Sequence, residues 1–153
     1  MKNEELKQFI LSLVPEAVFD EGKHFLSVNI PSEKIYFLSE NLKNNSALSF
    51  DYLFCLTGVD WLSFFSVVYH LTSTSLGHSL VIKAKIQNYE NPAIDTVCNF
   101  WRTAEFHERE IYDLFGIQFN NHPNLRRILL EDDWAGFPLR KNYVDDVNIV
   151  DLE

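Results

Sequence analysis

A chain of 153 residues is long enough for one domain that buries about 70% of its unfolded surface, and too short for two full ones. Its 46% hydrophobic and 14% aromatic content, with 13 Phe, 6 Tyr and 3 Trp, excludes global disorder. The formal net charge of −9 has the wrong sign for tracking a phosphate backbone or docking on anionic lipid, so no nucleic-acid partner is expected.

Asn3 is placed to cap a first helix whose apolar stripe is Leu6, Phe9, Ile10 and Leu13, with Glu4 and Glu5 at its positive end and Pro15 as its stop. Leu26, Val28 and Ile30 alternate with Ser27 and Asn29, the period of a half-buried strand. Pro31-Ser32-Glu33 opens a second helix through Ile35, Leu38 and Leu42, which Asn44-Asn45-Ser46 ends, and Tyr52 to Leu56 reads as a strand. A hairpin is the clearest feature: Phe65, Val67, Tyr69 and Leu71 alternate outward, Leu80, Ile82, Ala84 and Ile86 alternate back, and Thr74-Ser75-Leu76-Gly77 turns between them. The spacing then predicts a long helix from Asp95 to Phe115, with Gly116 at the left-handed C-terminal position. Beyond Phe119 periodicity stops.

This order predicts an α+β fold with a mixed or largely antiparallel sheet packed with helices, a body over 1–119 and an extended docking arm over 120–153. An arm of that length with little structure of its own is unusual inside a domain, and Leu125, Ile128, Leu129, Leu130, Trp134, Phe137 and Leu139 favour its being bound to something. The uncharged run Trp61 to Ile82 reaches the ~20 residues of a membrane span, but its Ser, Thr and His content argues against one. The acidic start, Asn3-Glu4-Glu5, does not read as a signal peptide, and the widely separated Cys55 and Cys98 make no CxxC-type cluster motif; both fit a cytoplasmic chain.

Arginine is the sharper signal. Arg102, Arg109, Arg126, Arg127 and Arg140 all lie beyond residue 101, whereas seven of the eight lysines precede residue 86. Arginine suits planar, bidentate, partly buried pairing, so this split points to an interface. On the predicted helix Val97, Phe100, Trp101, Ala104, Ile111 and Phe115 share a face with Glu108 at its middle, so that carboxylate must be paired, hydrogen-bonded or protonated; Arg126, Arg127 or backbone N–H groups of the arm are the expected partners. Phe106 falls on the opposite side. Glu105, Arg109 and Asp113 form an i, i+4 ladder that alone would be a solvated face, but Glu110 and Asp113 sit at the negative helix end and call for a cation.

No catalytic constellation assembles. His107-Glu108 begins like HExxH, yet Ile111 stands at the second histidine position; GxGxxG, GxxxxGK[ST] and GxSxG are absent; and His122 before Pro123 reads as a turn or packing histidine. A buried structural cysteine is favoured over a thiol nucleophile at Cys55 or Cys98.

Glu108-Arg109-Glu110, Asp113-Leu114-Phe115-Gly116-Ile117, His122-Pro123-Asn124-Leu125-Arg126-Arg127-Ile128-Leu129 and Pro138-Leu139-Arg140-Lys141 resemble, in order and spacing, the signature of the C subunit, the 30-kilodalton-type subunit, of the proton-pumping NADH:quinone oxidoreductase, respiratory complex I. Weaker similarity runs back through Val68-Tyr69-His70-Leu71 to Asp51-Tyr52-Leu53 and Val59-Asp60. Two positions depart from the pattern: Phe106 stands where the family usually has tryptophan and Asn124 where it usually has aspartate, which removes a charge. The resemblance implies a non-catalytic, cofactor-free subunit on the cytoplasmic side of the cell membrane, needed for assembly of the peripheral arm. NADH, FMN, iron–sulfur clusters and quinone would belong to other subunits, the D subunit would be the main partner, and the B and I subunits would lie close by. Phe106, Glu108, Arg109, Glu110, Asp113, His122, Arg126, Arg127 and Arg140 would dock that partner or anchor the arm. The equivalent subunit of an energy-converting hydrogenase or formate hydrogenlyase is the alternative assembly.

Overall fold

The computed structural model describes residues 3–20 and 24–145; the acidic terminus beyond Asp145 lies outside them. The predicted hairpin is the middle of the molecule. β4 (Phe65–Thr72) and β5 (Ser79–Ile86) pair antiparallel from Phe65 opposite Ile86 to Thr72 opposite Ser79. β3 (Tyr52–Asp60) extends β4 on one side with a bulge between Leu53 and Cys55, and β2 (Leu26–Pro31) joins β5 on the other side in parallel. A short β1 (Val18–Asp20) closes the far edge, giving the order β1-β2-β5-β4-β3. The sheet is therefore mixed, and the fold is α+β.

Side-chain period decides which face is covered. Phe65, Val67, Tyr69 and Leu71 of β4, with Leu80, Ile82, Ala84 and Ile86 of β5 and Val28 and Ile30 of β2, all point into one buried core. Leu6 and Ile10 of α1 (Asn3–Leu13) join it, as do Ile35, Leu38 and Leu42 of α2 (Ile35–Asn44), which a single 3₁₀ turn over Ser32–Lys34 introduces. The buried cluster amounts to a full domain core, and the helices were legible because their stripes repeat every three to four residues.

The last helix is shorter than its spacing predicts: α3 spans Ala104–Phe115. Residues Ala93–Asp95 form β6, which pairs in parallel with β7 (Gln118–Asn120), Ile94 lying opposite Phe119. Between β6 and α3 a turn, in which Trp101 N–H donates to the Val97 carbonyl, reproduces the i, i+4 apolar spacing without a continuous helix. Three β-branched residues, Ile94, Thr96 and Val97, weaken helix there, and the Thr96 and Val97 polar groups are turned to Glu108 instead. Gly116 terminates α3 as expected, at φ +71°, and a Cβ there would lie 2.5 Å from the Phe137 ring. At β3, Gly58 lets Phe115 and Ile111 pack directly on the strand backbone. After β7 residues 121–145 carry no helix or strand.

Candidate functional site

α3 and the segment after β7 form the one region where most of the singled-out residues meet. Glu108 is 0% exposed, as its place on the apolar stripe requires. Its hydrogen-bond donors, however, are neither arginines nor backbone N–H groups of the arm. One carboxylate oxygen accepts the Thr96 hydroxyl (2.5 Å) and the Cys98 thiol (3.2 Å), and the other accepts the Val97 N–H (2.8 Å). The turn after β6 occupies that side of α3, and Arg109 and Arg127 bond elsewhere. Burial raises the Glu108 carboxyl above its ordinary value against the pull of those three donors, and burial likewise pushes the Cys98 thiol up to about 12.

His122 lies over this cluster, 3.8 Å from the Glu108 carboxylate. Its Nδ1 accepts the Asn124 N–H at 3.0 Å, so in the neutral ring Nε2 carries the proton and donates to the Glu105 carbonyl at 3.0 Å. His122 thus bridges the turn after β7 and the middle of α3. Ligand atoms of Cys98, Glu108 and His122 fall within 4.8 Å of one another. A metal there would need the Cys98 thiolate, one Glu108 oxygen and an unprotonated Nε2, whereas burial favours the protonated thiol and Nε2 donates to the Glu105 carbonyl.

Asp113, also 0% exposed, is the second centre. Its Oδ2 accepts the consecutive backbone N–H groups of Ile128 (3.0 Å), Leu129 (2.7 Å) and Leu130 (3.0 Å), and its Oδ1 accepts Arg127 Nη1 at 2.8 Å. Burial pushes this carboxyl up, but Arg127 and the three N–H groups outweigh it and hold Asp113 below the usual carboxylate range. Arg127 also donates to the Trp134 and Gly136 carbonyls, at 3.0 and 2.9 Å. Arg109 donates from Nε to the Arg126 carbonyl and from Nη2 to the Arg127 carbonyl. The i, i+4 ladder is thus not solvated at Arg109 or Asp113, because the arm lies over them; Glu110 and the Arg126 side chain remain exposed.

Two further ties went unread in the sequence. Buried Asp60 accepts the Lys141 N–H and the Tyr89 hydroxyl on one oxygen, each at 2.8 Å, and the Leu62 N–H at 2.7 Å on the other. Burial raises this carboxyl, yet those donors keep it below its ordinary value. Arg140 Nε donates to the Phe115 carbonyl at 2.6 Å. Asp60 stands at the end of a strand where a turn aspartate is unremarkable, so nothing in the sequence marks its partners.

The arm's anchoring leaves apolar groups facing outward. Phe106 is 59% and Leu129 64% exposed, with Ile128 beside them. With Thr103, His107 and Glu110 they line an open groove of about 340 Å³. No helix among the described residues is long and apolar enough to cross a membrane.

Residues 28–147 match the family described as respiratory-chain NADH dehydrogenase, 30 Kd subunit. The chain is 43% identical over 122 residues to the fused C/D subunit of the NADH-quinone oxidoreductase of Phocaeicola vulgatus, an alignment that takes in 79% of this chain and 23% of that protein. It is 38% identical over 134 residues to the C subunit of the NADH-quinone oxidoreductase of Roseiflexus castenholzii, covering 84% of this chain and 76% of the relative. Among solved structures it is similar, with a TM-score of 0.78 and 27% identity over 96% of this chain and 88% of the other, to a chain of the membrane-bound sulfane sulfur reductase, an archaeal respiratory membrane complex. The chain thus spans about a quarter of a fused C/D relative and most of a separate C subunit, and with its matched residues running from β2 through the arm it belongs to the 30 Kd, or C-subunit, family of respiratory-chain NADH dehydrogenases.

Proposed function

We propose that this chain is an assembly subunit of the peripheral arm of an NADH:quinone oxidoreductase, on the cytoplasmic side of the membrane, and that it docks through the face made by α3 and the arm. The carrying observation is the groove between Phe106, Ile128 and Leu129, three apolar residues left exposed by a segment that is itself tied down at Asp113. Scattered apolar residues need no explanation, but an apolar groove bordered by the charged Glu110 has the make-up of an interface core. The D subunit is the partner for this face, with the B and I subunits adjacent. NADH, FMN, iron–sulfur clusters and quinone stay with those other subunits, and no residue of this chain performs a chemical step. The likeness to a chain of an archaeal sulfane sulfur reductase supports one second reading, the equivalent subunit of another respiratory membrane complex.

Substituting Phe106→Asp and Leu129→Asp tests the docking face. Both side chains are mostly exposed, so the variants should melt like the parent, whereas recovery in the membrane complex and NADH:quinone activity should fall together by about tenfold or more, as for interface anchors. Normal incorporation would refute the assignment. Mass spectrometry of the complex captured through this chain separates the two assemblies.

A further inference from the structure

Arg140 is held differently from the other arm arginines. Its Cζ lies 5.1 Å from the centre of the Phe137 ring, 5.3 Å from Phe65 and 6.0 Å from Tyr89, and Phe65 and Tyr89 stack on each other at 4.6 Å. Nε is fixed on the Phe115 carbonyl. Three rings and one hydrogen bond set both the position and the plane of the guanidinium, while its two Nη atoms have no hydrogen-bond or ion-pair partner among the described residues. Arg140 lines a hollow of about 410 Å³, whose wall also includes Gly116, Gln118, Phe137 and Glu90. Gly116 and Phe137 form that wall at a separation no side chain on residue 116 could share.

From this geometry we infer that Arg140 and its hollow form a receptor for a single carboxylate side chain, Asp or Glu, presented by a partner protein. The inference rests on the assembly reading above and names the chemistry at one of its contacts. A pre-set guanidinium with Nε occupied offers its Nη edge, which matches the two oxygens of a planar carboxylate. The same setting selects against other anions. Glu90 in the wall and the formal net charge of −9 repel a free dianion more strongly than a monoanion delivered on a docked chain. Partial desolvation by the rings makes the pair worth more than an exposed one and leaves little rotamer freedom to lose. Phe106 and the apolar groove sit on other residues altogether, so the two contacts are separable.

Guanidinium NMR of the full-length chain, labelled with ¹⁵N-arginine, tests the receptor with acetate as probe and inorganic phosphate as its counter-probe. Arg126, exposed and without a side-chain partner among the described residues, is the internal control. The Arg140 resonances should move saturably, at an acetate concentration about tenfold below that at which Arg126 responds, and phosphate should be weaker. Arg140→Lys, which keeps the charge but not the fork, should leave an NMR-visible folded chain whose remaining arginines show only the Arg126-type response. Equal responses at Arg140 and Arg126, or phosphate binding as tightly as acetate, would overturn the inference. So would Arg140 resonances that shift without probe on Asp146→Asn, Asp151→Asn or Glu153→Gln, since the chain's own terminus would then fill the fork. In the purified complex, Arg140 should be protected from phenylglyoxal while reacting in the free chain; equal labelling would refute the partner carboxylate. Failure of the chain to enter any complex would fall on the assembly reading, with the acetate titration still deciding the receptor.

Discussion

Glu108 holds its proton more tightly in the folded chain than the ordinary value of 4.5, because burial outweighs its three hydrogen-bond donors. Its linkage sign is therefore unfavourable at higher pH: stability falls as pH rises from 4.5 through the raised folded value, and the loss is complete above it. Asp113 and Asp60 have the opposite sign. Both titrate below 3.8 when folded, so what they contribute is present above 3.8 and is lost as pH falls through their folded values. Glu108→Gln removes only the first effect. In urea melts between pH 4.5 and neutrality, the stability of this variant relative to the parent should improve with rising pH; a difference that does not vary with pH would show that Glu108 is ionised throughout. Glu108→Ala leaves the Thr96 hydroxyl and Val97 N–H as buried donors without acceptors, at roughly 1–3 kcal/mol each, with no arginine stranded. That Glu108 is buried follows from its place on a stripe of apolar residues. Which donors reach it does not, since Thr96 and Cys98 are brought there by a turn that replaced the first part of a predicted helix.

The arm takes its shape from groups on α3 as well as from bonds within itself, such as those of Arg127 to the Trp134 and Gly136 carbonyls. Asp113 gathers three successive N–H groups and Arg127, and Arg109 takes two arm carbonyls from the neighbouring turn of the helix. Backbone polar groups that would otherwise need water are thereby satisfied without a helix or strand. Asp113→Asn keeps one acceptor oxygen but turns an amide toward donors and removes the charge opposite Arg127. Breaking a buried pair of this kind costs about 3–5 kcal/mol, and the cost should appear locally. Trypsin should cut at Arg126 and Arg127 many-fold faster than in the parent, with sites in α1 and β5 unaffected; an unchanged rate would mean that the arm is held by its apolar contacts instead. The sequence marks Asp113 as needing a cation, because it sits at the negative end of α3. It does not mark the three N–H acceptor bonds, which arise only when a non-periodic segment folds back over the helix.

At the scale of the whole chain, we propose that the body folds without the arm and that the arm equips it for assembly. Helices, hairpin and aromatic core all precede residue 120, whereas most arm residues are exposed or half-buried. A boundary after Phe119 cuts β7 before its last residue, so the chain to test ends at Asn120. It should melt cooperatively at a lowered temperature, as Asp113 and Asp60 lose arm donors but regain water, and it should not be recovered in the membrane complex. A non-cooperative or absent transition would show that the arm belongs to the core.

Local pattern alone determined much of this protein. The hairpin from Phe65 to Ile86, the stripes of α1 and α2, the Gly116 stop and the α+β class all follow from side-chain periods of two and 3.6 residues and from backbone conformations open to glycine, which neighbouring residues carry in full. The family motifs are legible for the same reason, being contiguous runs. Tertiary structure alone decided the parallel register of β2 on β5, the short β6–β7 pair, the start of α3 at Ala104 and the partners of Glu108, Asp60 and Arg140. Each of these joins residues far apart in the chain, and a carboxylate or guanidinium accepts any partner of suitable geometry. What selects the partner is the packing of the sheet, α3 and the arm around it, and no local spacing encodes that.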